Sequence, residues 1–303
     1  MLLDRVQPES AFVSLLNILG EFPMDIYLAN ERAFQLTSQF SVEVARDRLE
    51  QKKTSLVAGT VGSLISRPKP EEIQLVSVES RLEAFWLISV FVRTAYDRNR
   101  TYTVPVSGPE VQQVTTLGQE LPVASSPKGG ASITLSAVEH CVEERHQSFT
   151  FDGSGTRADL SKYQSFAKSE ITDLEHFAPA DVLVVPPQAN ATTVVRTVLA
   201  DAIKPVQAQV IQEERVNVEA LDLYFRPVYA MEYEWAAKGK RVILELDALT
   251  GDAHSGGKKL RDQIKSMVTR DLVFDVTADA VGMIVPGGSI AVKLVKAVVD
   301  RGK

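Results

Sequence analysis

Apolar positions change their period along the chain, and those changes divide it. Near the start, Phe12, Leu15, Leu16 and Leu19 recur at helical spacing, with Ser10 placed to cap them. Gly20 and Pro23 close that stretch. The same reading predicts a second helix from about Met24 to Phe40 and a third from about Ser41 through Leu49. Ala58 to Leu64 is small and apolar, and its state stays open. Ser66–Glu72 (SRPKPEE) breaks regular structure, because each proline restricts the residue before it.

From Ile73 the period becomes two. "IQLVSVE", "AFWLISVFVRTAY" and "RTYTVPV" are β-prone runs, and Asp97, Arg98 and Asn99 suit a turn between the last two. An antiparallel meander follows, with Phe85, Trp86, Phe91 and Tyr96 as large side chains for its buried face. A second block resembles the first: "VSVE" (Val76–Glu79) returns as "VNVE" (Val216–Glu219), each followed by an aromatic strand, a polar turn and a return strand. The blocks run Val76–Gly108 and Val216–Gly251, with a weaker copy at Val138–Gly155. The last two close on an Asp followed by a Gly turn.

Between the blocks, Leu160, Tyr163, Phe166 and Ala167 mark a helix over Asp159–Phe177, and Ala180–Pro187 reads as a short strand. Asn190 caps a helix with Val194, Val195, Val198 and Leu199 on one face, stopped by Pro205. After the last block comes an amphipathic helix with Leu260, Ile264, Met267 and Val268 inward. Leu272–Val299 reads as an apolar pair of helices about Pro286, Gly287 and Gly288, with Asp275, Thr277 and Ser289 as caps. The expected fold is therefore α+β. It has tandem antiparallel meander or hairpin modules, a helical N-terminal region and an apolar C-terminal helical hairpin. The segments are 1–66, 67–125, 126–187, 188–256 and 257–303.

Composition narrows the function. Formal net charge is -6, so no basic excess exists to neutralise a phosphate backbone, and nucleic acid is not expected as a partner. Cys141 is the single cysteine, which excludes an internal disulfide and a multi-cysteine zinc site. No leader-like or membrane-spanning run is evident, so a cytoplasmic protein is expected, with peripheral membrane contact at most.

Candidate chemistry is sparse. "VEHCVEERH" places Glu143 and His146 at i, i+3 if helical, and His140 and Glu144 at i, i+4. Glu-x-x-His on a helix begins some dimetal sites. As a strand, the segment puts both histidines on one face instead. His140, Glu143, Glu144 and His146 are thus the residues a metal-dependent hydrolase would use. "TGDAHSGGKK" departs from a phosphate-binding loop, since Lys259 stands where Ser or Thr is required. "DGSGTRAD" lacks the acidic third position of a calcium loop and reads as a Gly-rich turn.

Residues 216–252, with Asp247, Thr250 and Gly251 closing the return strand, resemble the strand–turn–strand units of PepSY-like modules. That resemblance implies a regulatory or interaction domain and transfers no functional residue. The expectation is a non-enzymatic interaction or assembly protein without a cofactor, pairing with a protein partner or with itself. Aromatic sheets would supply one binding surface. The apolar tail (Phe274, Val281, Ile284, Val285, Ile290 and Leu294) would supply the other.

Overall fold

The computed structural model describes residues 24–65, 68–125, 130–256, 269–276 and 293–296. Strands dominate them. In chain order they are β1 (Asp25–Leu28), β2 (Glu31–Leu36), helix α1 (Val42–Ile65), β3 (Ile73–Val106), β4 (Gln113–Thr116), β5 (Gln119–Pro122), β6 (Ala124–Ser125) and β7 (Ala131–Asp152). Then come β8 (Lys168–Glu170), β9 (Val182–Val185), helix α2 (Ala191–Ala202), β10 (Val210–Trp235), β11 (Lys240–Asp247), β12 (Ala253–Ser255), helix α3 (Arg270–Phe274) and β13 (Lys293–Lys296).

All of these strands but β4 and β5 enter one mixed sheet, with a main order of β12-β11-β10-β3-β7-β6. Its centre is the antiparallel pair β3–β10, in register from Ile73 opposite Trp235 to Asp97 opposite Val210. The far edge of β10 is shared by three short strands. β1 lies parallel along Arg215–Val218, β2 parallel along Leu221–Phe225, and β11 antiparallel along Val228–Trp235. The far edge of β3 carries β9 at Ser80–Glu83 and then β7 from Phe85 to Val106.

This arrangement corrects the expected fold class. The chain is a mostly-β protein organised on one large sheet, and strands from all five segments enter it. Met24–Phe40 holds strands β1 and β2, because Ile26, Leu28, Ala33 and Leu36 point into the core while the main chain pairs with β10. As a helix, the segment would leave that edge of β10 bare. Asp97–Asn99 form no turn, so the first block is one 34-residue strand and not a hairpin. Cross-strand partners override their turn chemistry: Asp97 meets His140, and Arg98 meets Glu139. Asp159–Phe177 contains a short 3-10 turn and β8, since Tyr163 is drawn onto the sheet.

The tail is corrected likewise. No apolar helical hairpin is shown: α3 ends at Phe274, and Lys293–Lys296 is a strand lying parallel to β1, with Leu294 in register with Ile26. Phe274 is buried edge-on against Trp86, 5.4 Å between ring centres. Val281, Ile284, Val285 and Ile290 lie outside the described residues, as do the first expected helix and the 260–268 stripe.

Several expected elements do form. β9 lies within Ala180–Pro187, and the α2 cap is Asn190, whose side chain accepts from the Thr193 N–H. Val216–Gly251 is a strand–turn–strand, β10 into β11. Asp152 and Asp247 each close a turn. Their Oδ1 atoms accept main-chain N–H groups two to four residues on, and Gly155 and Gly251 take the positive φ that follows.

The core has three parts. On one face of β3, Trp86, Ile88, Val90 and Val92 meet α2 through Val194, Val195, Val198 and Leu199. On the other, Phe34, Tyr224, Phe85 and Tyr163 follow one another with centroids 5.1–5.6 Å apart. Under α1, Ala45, Leu49 and Val57 cover Met231, Tyr233, Leu244 and Leu246. Apolar alternation along β10 shifts phase where the register jumps between Val218 and Ala220, which keeps both Val216 and Leu221 inward.

Trp86 is fully buried and donates its indole N–H to the Ala189 carbonyl at 3.0 Å. Trp86→Ala should lower unfolding free energy by about 3–5 kcal/mol. Asn190→Ala, which loses only the cap, should cost about 1 kcal/mol. Urea denaturation of both variants checks the ranking.

Candidate functional site

β7 settles the state of the histidine-bearing segment: it is extended, and its side chains alternate between two faces. His140, Glu144 and His146 share the solvent-facing side of β7, with Glu143 on the other. His140 Nδ1 lies 2.7 Å from Asp97 Oδ1, and this contact, with one from Gln212, holds the Asp97 carboxyl below its ordinary range. Glu143 accepts the Tyr96 hydroxyl at 2.8 Å, which pushes that phenol up. Glu144 pairs with Arg93, and His146 tilts on the Phe91 ring 3.5 Å from Glu219. Six residues along a strand separate the imidazoles by about 20 Å. The structure does not bring the four together, and the described residues contain no metal-type cluster of three or more. Cys141 is half-buried beside them.

What the strands do assemble is a ladder of paired charges across β7, β3 and β10. Arg93 bridges Glu144 on one side and Glu213 on the other, the latter at 3.1 Å. Further out, Glu139 accepts from Tyr102 and Arg98, and these two donors hold its carboxyl below the usual range.

Beyond Asp97, β10 ends and the ribbon continues. Arg98–Val106 and Ala131–Glu139 pair with each other, and β6 joins only at Ser132 and Ala131. Nine residue pairs at about 3.3 Å each make an arm roughly 30 Å long. Its far end carries the β4–β5 hairpin. That hairpin turns on Leu117 and Gly118, both at positive φ. Leu117 is 82% exposed at φ 50, a conformation that costs a branched apolar residue roughly 1–2 kcal/mol.

A second polar group was not foreseen in the sequence. Arg81, only 2% exposed, donates to Glu79 and Glu245, and Arg226 donates to Glu83 and Asp247. Tyr163 adds its hydroxyl to Asp247, and His254 touches Glu245. The signal was present as Glu79, Arg81 and Glu83 alternating on one strand face. Every one of these carboxylates has a cationic partner, and the group ties β3, β10, β11 and the 160–165 loop together. It acts as a structural clasp.

Burial, and then the bond to Asp247, push the Tyr163 phenol up to about 12. The folded state favours the neutral phenol, so the unfolded chain loses this proton first. Its stabilisation is complete below pH 10 and is lost as pH rises from 10 through 12. Tyr163→Phe should therefore lie furthest below the wild type at neutral pH, with the gap narrowing above pH 10. Paired urea titrations from pH 8 to 11.5 read that gap, and a constant gap would contradict it.

No helix among the described residues is long and apolar enough to cross a membrane. No family model matches the chain, including over the PepSY-like stretch, and neither a curated protein nor a solved structure matches it.

Proposed function

We propose that this chain is a non-enzymatic interaction and assembly protein whose binding element is the β3–β7 arm. One observation carries the reading: a ribbon of some nine residue pairs leaves the body, and among the described residues its main-chain edges are unpaired over most of its length. A two-stranded ribbon of that kind is marginal in water by itself. Strand edges are also a recurrent way for proteins to add a partner. The exposed apolar residues of the arm, Tyr102, Val104, Val138 and Leu117, supply contact area that the body does not need for its own core.

Of the residues first expected for this role, the described aromatic ones are used internally. Phe85, Trp86 and Tyr224 are buried in the sheet, and Phe274 packs on Trp86. Binding by the aromatic faces is thereby replaced with binding by strand edges and the arm tip.

The test shortens the arm. Arg100 and Ala137 face each other in register, so residues 101–136 can be replaced by an Asn-Gly turn. The shortened protein should keep its circular dichroism spectrum and melt within a few degrees of the wild type, while cross-linking less to a second polypeptide. Leu117→Asn should retain the turn, which suits Asn better than Leu, and weaken the same association. Unchanged cross-linking in both variants would refute the reading.

A further inference from the structure

We infer that β7 pairs antiparallel with β7 of a second copy of this chain, about a two-fold axis through Val142. This rests on the assembly reading and names its partner. Among the described residues, the outer edge of β7 is occupied only at its ends. β6 pairs at Ala131 and Ser132, and the returning chain bonds at Thr150 and Asp152. From residue 133 to residue 149 no strand among the described residues covers it.

The direction of the exposed groups follows from those ends. The Thr150 carbonyl accepts from Ala158 N–H, and Asp152 N–H donates to the Thr156 carbonyl, both away from β3. Main-chain groups alternate sides, and the β3–β7 register is unbroken from Asp152 to Ala131. The even-numbered residues therefore present N–H and C=O outward, Val142 among them. Val142 stands one residue from the midpoint of the open stretch.

Side chains choose the register. An axis through Val142 sets Glu139 of each copy opposite Arg145 of the other, and His140 opposite Glu144. Leu135 then meets Phe149, and Ser136 meets Ser148. Moving the axis to Cys141 opposes Glu139 and Glu143, which repel, and moving it to Glu143 opposes His140 and His146. Arg145 makes no ion pair among the described residues of its own chain. Its Nε and the Oε1 of neighbouring Gln147 are buried atoms without a hydrogen-bond partner among the described residues. Val142 is 55% exposed, and the axis sets it against its own copy.

Three variants of the full chain test this. Val142→Pro removes an outward N–H that the β3 ladder does not use, a position where edge strands tolerate proline. It should leave the melting curve near wild type and convert a dimer to a monomer by light scattering. Arg145→Glu should weaken dimerisation about tenfold or more, since both cross-axis pairs become repulsive. In a Cys141→Ser background, Val142→Cys should oxidise to a disulfide-linked dimer, because paired residues at the axis lie about 5.5 Å apart. Val138→Cys, equally exposed but facing His146 of the other copy, should not. The cysteine pair decides the matter if the proline variant fails to fold. A wild type that stays monomeric at about 100 μM, or equal cross-linking of both cysteine variants, overturns the self-pairing. A dimer that survives Val142→Pro also overturns it, while showing that the chain assembles by another surface. Loss of every association together with the arm, but none with Val142→Pro, has the same meaning.

Discussion

Main-chain hydrogen bonding along β3 and β10 is the requirement from which the other elements take their places. A strand of 34 residues offers polar groups on two edges throughout, and each buried group must be paired. β10 satisfies one edge of β3 over the body. The far edge of β10 is then filled by segments distant in sequence, β1, β2 and β11, laid end to end. Helices fill what remains: α2 covers the sheet face around Trp86, and α1 covers the face under Met231 and Tyr233. Where no further described segment pairs, at the arm and along β7, the edge faces outward.

Local signals were legible where local chemistry decided the outcome. The Asn190 cap and the Val194–Val198 stripe announced α2, and the Asp152 and Asp247 turns were visible as Asp followed by Gly. Period two announced β3 and β10. The failures share a cause. Met24–Phe40 has helical spacing, yet its conformation is set by β10, some two hundred residues away in sequence. Asp97, Arg98 and Asn99 have turn chemistry, yet His140 and Glu139 hold them extended. Single-segment patterns carry no information about such partners. For the candidate site, the strand alternative correctly placed both histidines on one face. The arm was hidden, because its length depends on where β10 stops.

Charge is used in two distinct ways. Around Arg81 and Arg226 the pairs are enclosed. Breaking one there would strand a buried charge and cost several kcal/mol. Along β7 the pairs are exposed and individually weak. Their value is arrangement, since charges of both signs on an edge strand discourage indiscriminate sheet extension and leave only matched registers favourable.

The continuity of β3 has a mechanical consequence. The same strand forms the outer ribbon and the centre of the body, without a joint at Asp97. A pull on the arm tip is therefore carried along the strand axis into the β3–β10 ladder. There it loads many hydrogen bonds at once in shear instead of opening them one at a time. The projection is rooted in the core through one continuous strand, so tension at its end reaches the sheet around Trp86.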